Sequence, residues 1–445
     1  MPTNKIIHYG VMNDMHENLD SAQNGSGHIE CFRFSSVLPG TDKYNEPRQN
    51  KHTTMKINKW TQVLLGVGLV SIPAVTNAEE KIIGSQAALT STTISGYVDT
   101  TASWKFGTGN ANMPGRVYDG ADTQDGFNMN VVSMTLNKPL DEGEWASGYN
   151  VQFLFGEGAR KRGTGLSTGA GGVAFNEAVV LLRAPVGNGI DLKIGQFGTY
   201  NGYEAYDTYK NPNWSRSYGF FIESSAHTGA SASYRFSDSV SVMAGVGNMA
   251  GFNNQVDAKY TGAESKKAYL GMITFTAPES FGFLKGASLS AGYTGGVNGP
   301  TSSWMQDNYY VGASVPTPIS GLAAGLAFDY TRGIAIADSD SYALGAYLSL
   351  QATEKLKLNG RVDYGWGDDA MYYSAADAGG NAGERNKLLS LTGTADYTLW
   401  KNVISRAELR WDTCLTGDSP FGGTDAGTPT DKNAVSLTAN LIYQF

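Results

Sequence analysis

Cysteine, histidine and charge are all scarce in this chain. It has two cysteines, Cys31 and Cys414, and five histidines in 445 residues. No CxxC or Cys/His cluster occurs, so neither a structural zinc site nor any other metal site is expected. Charged residues make up 17% and the net charge is −8. That argues against a nucleic-acid partner, which usually meets a basic domain. Apolar runs are equally rare: the longest, Val63 to Val75, falls short of the roughly 20 residues a helix needs to span a bilayer. No phosphate-binding GxxxxGK[ST] motif is present, and no cofactor is expected.

That apolar run follows Met55, Lys56 and Lys59 and precedes Thr76-Asn-Ala78 and then Glu79-Glu80. A basic start, an apolar centre and small residues at −3 and −1 form a signal peptide for the Sec route, with cleavage expected after Ala78. Residues 1–54 are polar and aperiodic, which fits a mis-called start with Met55 as initiator or an extended leader. The expected organisation is 1–54 leader, 55–78 signal and 79–445 mature chain. Cys31 then falls outside the mature protein and no intramolecular disulfide forms.

The chain is rich in glycine (56), tyrosine (24) and tryptophan (8), and its mean hydropathy is below zero. These suit a barrel with apolar residues facing lipid, small polar residues facing a lumen, and aromatic girdles. The last segment shows the pattern best. Val435, Leu437, Ala439, Leu441, Tyr443 and Phe445 share one parity, and Ala434, Ser436, Thr438, Asn440, Ile442 and Gln444 the other. Side chains alternate faces along a strand, so this strand has one apolar and one mostly polar face. The terminal Phe445 reads as an assembly signal for an outer-membrane barrel.

The same alternation recurs in sixteen segments: 93–106, 127–138, 145–157, 172–184, 189–197, 227–236, 239–249, 266–277, 284–295, 306–315, 321–333, 339–351, 355–366, 386–398, 402–413 and 432–445. Links between them alternate short and long, with 334–338 the one short exception. Short turns at one rim and long loops at the other describe a transmembrane, antiparallel, up-and-down β-barrel of about 16 strands with both ends of the mature chain at the periplasmic rim. In hydrocarbon every backbone group must be paired, and a sheet does so only when it closes and removes its edges. About sixteen strands leave an aqueous channel where eight would be filled by side chains.

Charges concentrate on the expected lumen face. Lys193, Arg235, Asp329, Lys355, Lys357, Arg361, Asp363, Asp396, Arg406, Glu408, Arg410 and Asp412 are the pore-lining candidates. Four charges on one face of one strand cannot enter a dry core without several kcal/mol of desolvation each, but they can face water. With Glu177 and Asp191 added, seven basic and seven acidic residues balance, so weak ion selectivity is expected. The longest connection, 198–226, is rich in aromatic and charged residues. It is expected either to fold into the pore or to clamp neighbouring loops at the surface. Its constriction candidates are Tyr203, Glu204, Asp207, Lys210, Trp214 and Arg216.

One stretch carries a family signal: Asn176-Glu-Ala-Val-Val-Leu-Leu-Arg-Ala-Pro185, Asp191-Leu-Lys-Ile-Gly-Gln-Phe-Gly198, Asn201-Gly-Tyr-Glu204, Asn211-Pro-Asn-Trp-Ser-Arg-Ser-Tyr218 and His227-Thr-Gly229. It resembles the OmpL-like family of β-barrel porins over about 176–254. It departs from the family after Val246, where Gly251-Phe252 stands in place of a Gly-Trp pair. The resemblance implies a channel without catalysis and names no solute. A single histidine, His227, remains after Ala78, too few for most side-chain acid–base chemistry.

The expected function is therefore an outer-membrane porin: a water-filled channel for passive diffusion of ions and small hydrophilic solutes. The partners expected are outer-membrane lipid, the barrel-assembly machinery and the solutes themselves, with a homotrimer expected only by analogy with wide porins. The rival readings are a plugged, structural or adhesive barrel, and a soluble secreted β-protein.

Overall fold

The computed structural model describes residues 91–107, 109–162, 172–251, 266–298, 304–334 and 336–445. The expectations for residues 1–78, including cleavage at Ala78, lie outside these. Sixteen strands form one closed antiparallel barrel in which every strand pairs with its sequence neighbours and β1 pairs with β16. The strands are β1 (Thr93–Phe106), β2 (Gly126–Lys138), β3 (Ala146–Phe155), β4 (Val173–Ala184), β5 (Ile190–Gly198), β6 (Ala226–Arg235), β7 (Val240–Gly247) and β8 (Ala268–Thr276). They continue as β9 (Ser288–Val297), β10 (Met305–Pro316), β11 (Leu322–Arg332), β12 (Asp340–Gln351), β13 (Leu356–Gly367), β14 (Asn386–Trp400), β15 (Val403–Cys414) and β16 (Asn433–Gln444). Two short helices sit in long loops, α1 (Glu157–Arg162) and α2 (Tyr218–Ile222).

Strand number and parity match the period-two reading. On β16, Leu437, Leu441 and Tyr443 are exposed on the outer face while Ser436, Thr438 and Asn440 are buried inside. The expected start of β9 at 284 is four residues early. The expected link at 278–283 is a 3₁₀ turn (Glu279–Leu284), entered through Pro278 and broken by Gly282 at φ +61°, and it runs on through a turn at Lys285 and Gly286 before the strand begins. Lys355, expected on the lumen wall, lies in the exposed turn before β13. There it sits at the short-turn rim, outside the ladder that points side chains inward.

Closure depends on the seam. Ten residue pairs join β1 to β16, from Tyr97 opposite Gln444 to Phe106 opposite Val435. Phe445 extends the ladder through Gly96 N–H to Phe445 O (2.9 Å) and Phe445 N–H to Gly96 O (3.0 Å). A Cβ built on Gly96 would stand 2.2 Å from Ser133 O and 2.6 Å from the Phe445 ring. Gly96→Val should therefore displace the terminal residue and cost about 2 kcal/mol or more. A denaturant titration followed by heat-modifiable migration checks this, and unchanged stability would show that the seam tolerates a side chain there.

Candidate functional site in the barrel lumen

The loop between β5 and β6, residues 199–225, enters the barrel and reaches the opposite wall. Its first turn follows from the Asn201-Gly-Tyr-Glu204 motif. Asn201 donates to Asn308 Oδ1 on β10 at 2.9 Å. Gly202 sits at φ +117°, and a Cβ there would meet Glu223 Oε2 at 2.2 Å, so only glycine fits this close approach. Tyr203 then stacks on Tyr347 of β12 with ring centroids 4.1 Å apart.

The Asn211 to Tyr218 motif builds the return. Asn211 closes a ring on Ala205, accepting its N–H and donating to its carbonyl, both at 2.7 Å. Ser217 caps α2 by accepting from Phe220 N–H at 3.1 Å.

An inserted loop has no strand beside it, yet its buried peptide groups need partners. Wall side chains supply them. Arg361 donates to Ser215 O (2.7 Å) and to Arg216 O (3.2 Å). Arg410 donates to Arg216 O (2.8 Å), and Arg406 to Thr208 O (2.8 Å) and Asn211 O (3.0 Å). Glu408 accepts Trp214 N–H (2.6 Å) and Ser215 N–H (3.0 Å). Asn213 donates to Thr394 of β14 at 2.7 Å, and Tyr218 Oη to Asp412 at 2.7 Å.

The charges are paired as well as bonded. Arg361 bridges Glu204 (2.9 Å) and Asp363 (2.6 Å), Arg406 pairs with Asp396 (2.8 Å), and Arg410 pairs with Asp412 (2.9 Å). Removing one partner of such a buried set typically costs about 3–5 kcal/mol.

The pore-lining candidates on the strands thus point inward, but Asp329, Arg361, Asp363, Arg406, Glu408, Arg410 and Asp412 are buried, with Arg361 and Asp412 at 2% and 0% exposure. They do not face open water as expected. Parity identifies the face of a side chain but not what covers it. Partly exposed charges remain on the β4–β5 wall, where Lys193 pairs with Glu177 at 2.6 Å, and on the loop, where Lys210 pairs with Asp207 at 2.7 Å. Lys357 and Arg235 lie at the short-turn ends of β13 and β6.

Of the constriction candidates, Glu204, Trp214 and Arg216 are buried within the packed loop. Asp207 ties its far end to the wall, accepting from Tyr97 Oη of β1 (3.0 Å) and Gln152 of β3 (2.8 Å). Burial pushes the Asp207 carboxyl up, but Lys210 and these donors outweigh that and hold it below the usual carboxylate range.

Sequence reasoning missed Arg116 and Asp119. From the loop after β1, Arg116 binds Asp412 directly and donates to Ser436 at 2.8 Å. It also pairs with Asp119 at 3.1 Å. No spacing in the sequence marked them. Asp99 was also missed. It lies on the inward parity of β1, fully buried, and accepts from Asn130 (2.8 Å) and Asn440 (2.6 Å). Its parity was legible. Loops 109–125, 368–385 and 415–432 contribute Met113, Tyr372, Tyr373 and Phe421 to an apolar cluster with Tyr218 and Ile222, packed on Ala343, Leu388, Cys414 and Ala434 of β12, β14, β15 and β16. Among the described residues, no group of three or more His, Cys, Asp or Glu is arranged to hold a metal ion.

The family model described as "Putative beta-barrel porin-2, OmpL-like" matches residues 91–445. The chain belongs to this porin family. Its barrel is similar to that of the outer-membrane channel DcaP of Acinetobacter baumannii, at 16% identity and TM-score 0.50, covering 80% of this chain and 97% of that one. It is similar to an anion-selective porin from Comamonas acidovorans (14% identity, TM-score 0.51, 80% and 99% covered). It is also similar to OmpT of Vibrio cholerae in its trimer form (12% identity, TM-score 0.50, 80% and 99% covered). At these identities the likeness concerns the fold. No curated protein matches the chain in sequence. The family and the fold place the porin in the outer membrane.

Glu223, at the end of the inserted loop, is buried beside Asp329. Burial raises its carboxyl well above the usual range, and the Asp329 and Glu204 charges raise it further. The folded state therefore favours the protonated form. As pH climbs through the ordinary carboxylate range, the unfolded chain ionises while the folded one resists, and stability falls. Glu223→Gln should stabilise the porin more at pH 8 than at pH 4, measured by denaturant unfolding. An equal effect at both pH values would rule out this titration.

Proposed function

We propose that this porin forms a water-filled channel for passive diffusion of ions and small hydrophilic solutes, narrowed by loop 199–225. The observation that carries this reading is the loop itself, folded inside a closed sixteen-strand barrel and tied to β13, β14 and β15. The passage runs along the wall from β4 to β10. There the short-turn half of the lumen face is small and polar, with Ser233 exposed and Ser241, Ser288, Ser290 and Ser314 half-buried. The Lys193–Glu177 and Lys210–Asp207 pairs stand beside it. Because the two charges of each of these pairs offset one another, ion selectivity is weak.

No catalytic role enters this reading. His227 is buried with Nδ1 3.1 Å from Met249 O, which suits a packing role for the His-Thr-Gly segment. The chain acts in the outer membrane after export through a signal peptide removed at Ala78, and Phe445 serves the barrel-assembly machinery. A homotrimer is proposed from the trimeric OmpT fold. The second reading, a plugged or structural barrel, is favoured by one observation, the burial of the wall charges under the loop.

Single-channel recording of the purified protein in planar bilayers separates the two. Stable current steps that grow when residues 203–220 are deleted, closing in threes for a trimer, are expected of the constricted porin. A cation-to-anion permeability ratio beyond about tenfold would contradict weak selectivity. Insertion without current would establish the plugged barrel, and unchanged current after the deletion would remove the loop's narrowing role. Amino-terminal sequencing of the exported protein should begin at Glu79, and any other first residue would move the cleavage site.

A further inference from the structure

One ion pair in the lumen stands beside an apolar patch. Lys193 of β5 and Glu177 of β4 meet at 2.6 Å, and their side chains stay 26% and 20% exposed. Lys193 has Leu181 opposite it on β4 and Ser231 on β6. Leu181, Tyr200 and Met272 are half-buried in one apolar cluster with Met243, the cross-strand partner of Met272. The Tyr200 hydroxyl sits 2.8 Å from Ser231 Oγ, which fixes its ring, and Lys193 Nζ lies 5.9 Å from that ring's centroid. A charged pair and an apolar shelf therefore share one stretch of the β4–β8 wall.

The other inward pairs differ from it. Arg361, Arg406 and Arg410 are buried beneath the inserted loop. Lys210 pairs with Asp207 at 2.7 Å, but that carboxylate is almost fully buried and already accepts from Tyr97 and Gln152. Arg183 and Asp191 are more exposed and lie at the short-turn ends of β4 and β5, where water and salt screen them. Glu177 takes Lys193 on Oε1 and Asn150 on Oε2, the latter at 2.9 Å. When Lys193 turns away, the carboxylate keeps one donor and presents one oxygen to the passage.

We propose that this stretch is a subsite for small zwitterions with an apolar side chain, the chemistry of an aliphatic amino acid. A half-buried ion pair opens at low cost only when both members find new partners. A simple anion would satisfy Lys193 and strand Glu177, and a simple cation would do the reverse. A zwitterion brings one group for each. Its carboxylate accepts from Lys193 and its ammonium donates to Glu177, so two charge-assisted pairs replace one. Its aliphatic end then lies on Leu181, Tyr200 and Met272, out of water. Methionine is unbranched and adapts to side chains of different shape. The subsite deepens the channel reading and rests on it, since a solute must enter the lumen to reach Lys193.

The test is titration calorimetry on detergent-solubilised full-length protein, which needs no current. The probes are L-leucine, 4-methylpentanoate (no ammonium), 3-methylbutylamine (no carboxylate) and glycine (no apolar end). L-Leucine should bind about tenfold more tightly than each of the others. Glu177→Gln should erase the preference over 4-methylpentanoate by raising the affinity for that anion. Lys193→Gln should do the same for 3-methylbutylamine. Crossed gains of this kind do not arise from a damaged fold, and heat-modifiable migration identifies folded variants. Leucine binding by a protein that passes no current in bilayers supports the subsite and fails only the open-channel reading. Absence of leucine binding to the unaltered protein, or an equal change in all four affinities in both variants, would overturn the proposal.

Discussion

A peptide group without water beside it must find a partner. In the wall, that demand closes the sheet, since an open edge in hydrocarbon would leave a row of unpaired groups. In the lumen, the same demand falls on a loop with no strand alongside it. Its carbonyls are met by the guanidinium groups of Arg361, Arg406 and Arg410, and two of its N–H groups by the Glu408 carboxylate. The barrel thus solves one problem twice, first with backbone and then with side chains.

This explains why the inner face carries so many arginines. A guanidinium presents several donors in a rigid fork and stays charged when buried. It can bridge two acids and still reach carbonyls, as Arg361 does with Glu204, Asp363 and the Ser215 carbonyl. A lysine could not meet the same set. Lys193 and Lys210, by contrast, stand where the interior is partly exposed and one carboxylate each suffices.

The wall was legible in the sequence because its period is two. Leu437 and Leu441 had to alternate with Thr438 and Asn440, whatever the remainder of the chain did. β9 began late because the turn after Pro278 runs on through Leu284, Lys285 and Gly286, which were read as strand. The interior was less legible. Parity placed Arg410 and Asp412 inside, yet whether water or protein would meet them depended on a loop roughly 200 residues away in sequence. Arg116 and Asp119 lie in a loop with no periodicity at all, and only the folded position of Asp412 gives them meaning. The OmpL-like motif, by contrast, marked the inserted loop well, because its Gly202, Glu204 and Asn211 each answer a local geometric need.

The loop's anchors also join distant parts of the chain. Glu204 bonds Arg361 across 157 positions, and Thr208 meets Arg406 across 198. Both arginines sit on the carboxyl-terminal strands β13 and β15. A chain shortened before β13 would therefore lack not only the wall that closes the barrel but also the groups that hold the inserted loop.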